Sequence, residues 1–557
     1  MGLSMNLAIA RAEMRSVRRL VRYWIFSVLS IGITCLIYLY YAAIHGFVSR
    51  LSATVGAAGP RFLISALGIY VLAIFLLGLI FLAFDVRARD ERERMAQVLD
   101  SRPLSNVELL VGRSLGLVFM AWVPVLVAMS LMQVFGGLAL AFGWWLGEPV
   151  EPYSLIGFVV FDALTAFAVW CSLIVLLAVL LCNRLLVAIS ALVLLGLEVW
   201  SVLRMPVYLV PALGMVSAGA GLGSDVVPLV TTGAALTQRL SLWVLAAGFV
   251  ALAAAFHPRP DGGARNRLIA VGAALVLVAG VTIGGLTWRA ASAMQLQEVW
   301  EQVHRERSHE PRARIVAVGG SVEIDPGRRL DLDLQIRLQA PEDQSLDTLL
   351  FAFNPGLRVE SVSVGGAEVD WTHALGLLEI SLARPLQAGG SATLNLVSRG
   401  KPDNSFAYLD SSVNLLAGNS MDAQVGLLGI QSGVFSRRYV ALMPGIRWLP
   451  YAGTDIPNGD SRVRPADYFE VDLEVEVPRG WLVAGPGKRQ TVSDSSRDGD
   501  RQRFRFHPGA PVSEVGLLAS RFVRRSTEVA GVELELLVNA KHQRNLDLFA
   551  DAAQVLE

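Results

Sequence analysis

Lysine is nearly missing from this chain. Only Lys401, Lys488 and Lys541 occur in 557 residues. Neither Gly400-Lys401-Pro402 nor Gly487-Lys488-Arg489 supplies the hydroxyl that a phosphate-cradling G-x-x-x-x-G-K-[ST] loop needs. No ATP site of that kind is therefore encoded. Cysteine is as scarce. Cys35, Cys171 and Cys182 all lie in or beside apolar segments and read as small buried hydrophobes. The C-terminal half has none, which excludes disulfides and thiolate metal sites there. Net charge is absent too: 48 basic residues balance 48 acidic ones, and nothing points to nucleic acid. There is no H-E-x-x-H helix, since His309-Glu310 runs into Pro311-Arg312, and no G-x-S-x-G elbow. His304, His373, His507 and His542 show no ligand spacing and read as scattered surface residues.

What is present changes character once, near Arg289. Before it lie long apolar runs; after it, apolar and charged residues alternate, as in RLDLDLQIRLQ (Arg329 to Gln339) and FEVDLEVEV (Phe469 to Val477). A bilayer core needs about 20 apolar residues per helix. Seven stretches come close: Tyr23 to Ile44, Phe62 to Phe84, Leu115 to Phe135, Leu155 to Leu181, Leu185 to Leu203, Leu240 to Phe256 and Leu268 to Leu286. The first is too long for a cleaved signal peptide, and no small-residue cleavage site follows it. Arginine placement sets the expected orientation. One set of loops holds Arg11, Arg15, Arg18, Arg19, Arg22, the cluster Arg87 to Arg113, Arg184, Arg259, Arg265 and Arg267. The opposite set holds only Arg50, Arg61, Arg204 and Arg239. A cytoplasmic N-terminus and seven crossings put the C-terminal half outside the cytoplasm, in a multi-pass inner-membrane protein in contact with lipid.

The expected fold is thus a polytopic α-helical membrane bundle followed by an all-β extracytoplasmic sandwich or saddle. Its parts are an interfacial helix over 1–22, a membrane domain over 23–286, a helical connector over 287–313, a β domain over 314–544 and the start of a further helical domain over 545–557, where the chain looks unfinished. Inside the membrane domain, 205–238 is apolar, glycine-rich and broken by prolines, which fits re-entrant helices. Strands are predicted at Leu330 to Leu338, Val359 to Val364, Leu377 to Leu382, Ala392 to Val397, Phe469 to Val477, Phe504 to Phe506 and Val532 to Val538.

Two places could carry function. In the charged loop Asp85 to Arg113, Arg89, Asp90, Glu91 and Met95 lie on a short helix with a small apolar face; Arg102-Pro103 breaks it, and Ser105 with Glu108 forms a capping box for the next span. The loop is either a solvated connector or a docking element for a cytoplasmic partner. Asp162 and Glu198 lie inside spans, where carboxylates are costly and face a cavity or a partner. They line a substrate path, pair with Arg204 or Arg239, or reach interfacial water.

The membrane half resembles the type-2 ABC transporter permease family, on ARAEMRSVRRLVRYW (Ala10 to Trp24) and RDERERMAQVLDSRPLSNVELLVGRSLG (Arg89 to Gly116). The resemblance implies an elbow helix, a coupling loop, a homodimer or heterodimer of permeases, and a separate cytoplasmic ATPase subunit that holds the ATP. The C-terminal half resembles the N-terminal domain of the membrane-alanyl-type zinc aminopeptidases. Its blocks are LLFAFNPGLRVESVSVGGAEVDW (Leu349 to Trp371) with RPLQAGGSATLNLVSRGKP (Arg384 to Pro402), RWLPYAG (Arg447 to Gly453), and ADYFEVDLEVEVPRGWLVAGPGK (Ala466 to Lys488) with SEVGLLASRF (Ser513 to Phe522). That family's zinc motif is missing here, so this chain is expected to hold no cofactor; zinc would enter only with a catalytic domain beyond Glu557. The resulting expectation is an ABC-exporter membrane subunit with an inactive aminopeptidase-like module. The alternatives are the N-terminal part of a membrane-anchored zinc aminopeptidase and a non-catalytic envelope or peptide-binding protein.

Overall fold

The computed structural model describes residues 2–51, 61–85, 104–144, 146, 149–150, 152–216, 233–259, 265–407, 409, 433–456, 467–492, 500–529 and 532–539. Contacts divide the chain into a helical unit up to residue 291 and a β unit from residue 292.

The helical unit opens with α1 (Gly2–Arg18). A turn at Arg19 and Leu20 separates it from α2 (Val21–Leu51), so α1 is a helix of its own and not the charged start of the first span. Next come α3 (Arg61–Ala83), α4 (Asn106–Ala141), α5 (Pro152–Gly157), a π-helical turn (Phe158–Ala163), α6 (Leu164–Leu181), α7 (Arg184–Arg204), a 3₁₀ turn (Val207–Leu209), α8 (Val210–Leu213), α9 (Gly233–Phe256) and α10 (Arg265–Glu306). Each of the seven predicted stretches falls on helix. Among the described residues, six helices are long and apolar enough to cross a membrane, and α3 contributes the shorter apolar segment Gly68–Ala83.

The core of this unit lies between α3, α4 and α6: Leu72, Leu76, Leu79, Leu117, Val125, Phe167, Cys171 and Ile174 are fully buried. On the periphery, α7 exposes Leu185, Ile189, Val193, Leu197 and Trp200, and α10 exposes Leu277, Val278 and Val281. Such a belt suits lipid and not water.

Three expectations are corrected here. Gly233 to Gln238, assigned to the re-entrant segment, belongs to α9, because the polar residues of its first turns are satisfied inside the unit. The last predicted span and the connector form one helix, α10, since nothing between Thr287 and Glu306 breaks a helix. Cys182 is exposed at the left-handed C-cap of α6 (φ 51°), not buried; Cys171 is buried and Cys35 half-buried.

The β unit holds eighteen described strands. An eight-stranded sheet runs in the order β14 (Arg489–Val492), β15 (Arg501–Phe506), β12 (Glu470–Pro478), β1 (Arg314–Asp325), β2 (Arg329–Gln339), β8 (Ser391–Gly400), β4 (Leu357–Val364), β5 (Ala367–Glu368). All its pairings are antiparallel except β1 with β12, where Ala317 stands opposite Glu470. Two four-stranded sheets complete the core. One is β13 (Leu482–Ala484), β16 (Leu517–Ser520), β10 (Tyr439–Leu442), β9 (Gly433–Phe435); the other is β11 (Tyr451–Ala452), β3 (Leu346–Ala352), β7 (Leu377–Leu386), β6 (Asp370–Ala374). A hairpin, β17 (Phe522–Val529) with β18 (Val532–Asn539), stands apart.

Strict alternation buries one face of β2 completely: Leu330, Leu332, Leu334, Ile336 and Leu338 are at most 1% exposed. At about 1.5–3 kcal/mol for each large side chain, this one strand supplies several kcal/mol of the drive to stack on the smaller sheets. The other face carries cross-strand ion pairs such as Arg505–Asp472 and Arg503–Glu476, whose exposed members contribute little. Gly320 is required where β1 crosses this face: its φ is +131°, and a Cβ there would stand 2.1 Å from the Asp333 carbonyl oxygen.

Candidate functional site

The strongest polar constellation in the helical unit forms around Asp162. The π turn Phe158–Ala163 interrupts what would otherwise be one long helix. Its wider hydrogen bonding leaves the Val159 carbonyl to accept both Leu164 N and Trp122 Nε1 (3.0 Å). It also sets Asp162 inside the bundle, with no exposed surface. Arg239, on the first turns of α9 and 3% exposed, donates from Nη2 to Asp162 Oδ1 at 2.7 Å. Of the partners the sequence offered, Arg239 is the one used, and interfacial water is excluded for Asp162.

The same arginine reaches the chain leaving α8. Its Nη1 lies 3.4 Å from the Gly214 carbonyl oxygen and 3.5 Å from that of Met215, and Gln238 Nε2 donates to Gly214 at 3.0 Å. From α7, Glu198 Oε1 accepts the amides of Met215 (2.8 Å) and Val216 (3.3 Å). The physical need is plain. Irregular backbone in apolar surroundings must find partners, and here side chains take its carbonyls from one side and its amides from the other. Asp162 and Glu198, separated in sequence, thus meet at one short loop. Beside them, α6, α7 and α9 enclose a cavity of about 310 Å³, lined by Trp170, Leu173, Leu194, Leu197, Glu198, Ser201, Met215 and Phe249 among others.

Of the predicted docking loop, Arg89, Asp90, Glu91, Met95, Arg102 and Pro103 lie outside the described residues, but both flanks are described. Before the loop, Asp85 accepts both terminal nitrogens of Arg22, at 2.9 and 2.6 Å. After it, the capping box is present: Glu108 N donates to Ser105 Oγ at 3.2 Å, and Ser105 N to Glu108 Oε2 at 3.1 Å. Asn106 Nδ2 then donates to the carbonyls of Ala254 (3.4 Å) and Arg259 (3.1 Å), at the far end of α9 from Arg239. Helix α1 packs against α4 at Gly112 and Gly116, where a Cβ would meet Ile9 Cβ at 2.7 Å and the Ala10 carbonyl oxygen at 2.8 Å.

In the β unit the RWLPYAG block serves the interior. Arg447, left-handed at φ 51°, is buried, pairs with Asp455 (Nε to Oδ1, 2.5 Å) and lies 4.2 Å from the Tyr451 ring centre. Trp448 Nε1 donates to Val515 O at 3.1 Å. The end of α10 packs here too: Trp300 joins Phe406, Leu409 and Ile456 in a small cluster. His304 corrects the surface reading of the histidines. It is fully buried, its Nδ1 accepts the Asp455 amide at 3.0 Å, and burial pushes its imidazole down to about 4. His373 is also held below its usual value by burial. Arg312 and Asp467 form a bidentate pair at 3.0 Å, and Asp467 also accepts Ile315 N. Among the described residues, no group of His, Cys, Asp and Glu is arranged to hold a metal ion.

No protein-family profile matches the chain, and no curated relative matches it. Solved structures similar to it include an M1 zinc metallopeptidase mutant from Deinococcus radiodurans bound to a Tyr-Ser-Ala substrate, 19% identical over 41% of this chain and 48% of that one, with a TM-score of 0.31. The M1 zinc metallopeptidase from the same organism is 18% identical over 40% and 46%, also at 0.31. Legionella pneumophila aminopeptidase A in complex with aspartic acid is 9% identical over 41% and 24%, at 0.29. The chain spans about half the length of the Deinococcus metallopeptidases it matches.

Proposed function

We propose that this chain is the membrane subunit of an ABC-type exporter and carries an aminopeptidase-like β domain outside the cytoplasm. The observation that supports it is the reach of α9. At one end Arg239 holds Asp162 and the loop bound by Glu198; at the other, Asn106 ties the helix to the exit of the 86–103 loop. The sixteen residues from Arg239 to Ala254 rise about 22 Å as one rigid element. A push on the loop from an ATPase is then delivered to the two intramembrane acids without a hinge. The test is the triple variant D90K/E91K/M95D, with residues outside the apolar stretches. Membrane insertion should be unchanged, while ATPase co-purification and substrate-stimulated hydrolysis fall. Wild-type retention of the ATPase would make the loop a solvated connector and end the exporter reading.

A second reading fits about as well: the N-terminal part of a membrane-anchored zinc aminopeptidase. It rests on the resemblance blocks, which follow that family's order and fall on strands of a single unit: β3 to β8, then β11, then β12, β13 and β16. Reading the gene past the codon for Glu557 separates this from a non-catalytic binding role, since an H-E-x-x-H is required there. The two main readings are compatible in one longer protein.

A further inference from the structure

The cavity between α6, α7 and α9 has two properties that together define a ligand. Its walls are apolar and aromatic, with Leu173, Leu197, Met215 and Phe249 among them. Glu198 faces it with one oxygen committed to the Met215 and Val216 amides; no hydrogen bond reaches the other among the described residues. Trp170, 3% exposed, also lines it, but its indole N–H has no surface open to the cavity.

The charge balance points the same way. Asp162 takes Arg239 as its ion-pair partner, and among the described residues no salt bridge reaches Glu198. Arg204, further along α7, is exposed. A carboxylate beside hydrocarbon without a cation of its own is costly. A molecule relieves this if it brings a cationic N–H head and an apolar body. A volume of about 310 Å³ lies at the lower end of the range for small-molecule sites. Leu194 and Leu197 are exposed and line the cavity, so its rim lies on the apolar exterior of the unit. Such a ligand would arrive from within the membrane.

We infer that this cavity binds a lipophilic ammonium compound, its head on Glu198 and its body against the apolar walls. The inference deepens the exporter reading, in which this compound would be the cargo; binding itself needs no ATPase.

The experiment uses the full chain in phosphatidylcholine nanodiscs, with empty nanodiscs as background. Equilibrium dialysis compares 4-(benzyloxy)butylammonium with the alcohol and the carboxylate built on the same body. The ammonium should bind saturably and at least ~10-fold more tightly than either, since a charge-assisted hydrogen bond outweighs a neutral one. Glu198→Gln keeps an oxygen for Met215 and Val216, so the fold should hold. It should bring the ammonium down to the level of the alcohol and leave the alcohol unchanged. Equal binding of the three heads, as a lipid-filled cavity would give, overturns the inference; so does preference for the carboxylate, or ammonium binding that survives Glu198→Gln. Loss of ATPase association in the loop variant leaves these results standing, and a negative result here leaves the loop experiment standing.

Discussion

Arg239 lies where no water can replace it. Taking it away strands the Asp162 carboxylate, and breaking one side of a buried pair costs about 3–5 kcal/mol. Arg239→Met should therefore lower the melting temperature of the purified protein sharply. Adding Asp162→Asn should recover more than half of the loss, because no charge is then left buried. A double variant no more stable than Arg239→Met would show that the arginine acts through the Gly214 and Met215 carbonyls instead. His304 gives a pH dependence of definite sign. Its folded value, about 4, is below the unfolded 6.5, so the unfolded chain binds more protons between the two. The neutral ring's contribution is complete above pH 6.5 and is lost as pH falls towards 4, about 3 kcal/mol in all. Urea midpoints of the β unit at pH 7 and pH 4.5 should show this decline, and His304→Gln should flatten much of it. An unchanged slope in that variant would assign the acid sensitivity to other groups.

At the scale of elements, the seam between α1 and α4 depends on two positions without side chains. Gly112→Ala and Gly116→Ala should each destabilise by about 1–3 kcal/mol, since the nearest atoms to the added Cβ include the Asn6 and Ala10 carbonyl oxygens, which cannot swing aside. Gly137, on the same helix with nothing within 4 Å, is the control; alanine there should be neutral or stabilise by up to about 1 kcal/mol. Equal melting temperatures for all three variants would mean that α1 is not tightly seated. The sequence was readable where one face of an element is wet. Alternation marked β2 and β12, and Ser105 with Glu108 marked the start of α4. It was unreadable where both faces are covered. All of YVAL in β10 and four consecutive residues of β3 are buried, so no alternation remains to be seen. In β1 the pair Gly319-Gly320 hid a twelve-residue strand. Asp162 and Glu198 were visible as misplaced charges, but choosing Arg239 over Arg204 required the fold, as did finding His304 inside a helix face that reads as polar.

For the whole molecule, the arginine bias and the seven apolar stretches of the sequence predict that the β unit lies outside the cytoplasm. A fluorescent protein that matures only in the cytoplasm, fused after Glu557, should stay dark, whereas the same reporter placed before Gly2 should fluoresce. Fluorescence from the C-terminal fusion would reverse the topology and, with it, any meeting of the β unit with extracytoplasmic peptides. Within the β unit, Arg447, Asp455 and His304 are interior ties.

The parallel partnership of β1 and β12 sets a timetable for synthesis. β1 is made early and can pair with β2 at once, but its other edge has no occupant until Glu470 to Pro478 emerge. At ordinary elongation rates the intervening stretch takes roughly 8–30 s to make. Throughout that interval the nascent domain presents an open strand edge, the surface most prone to pairing with a stranger.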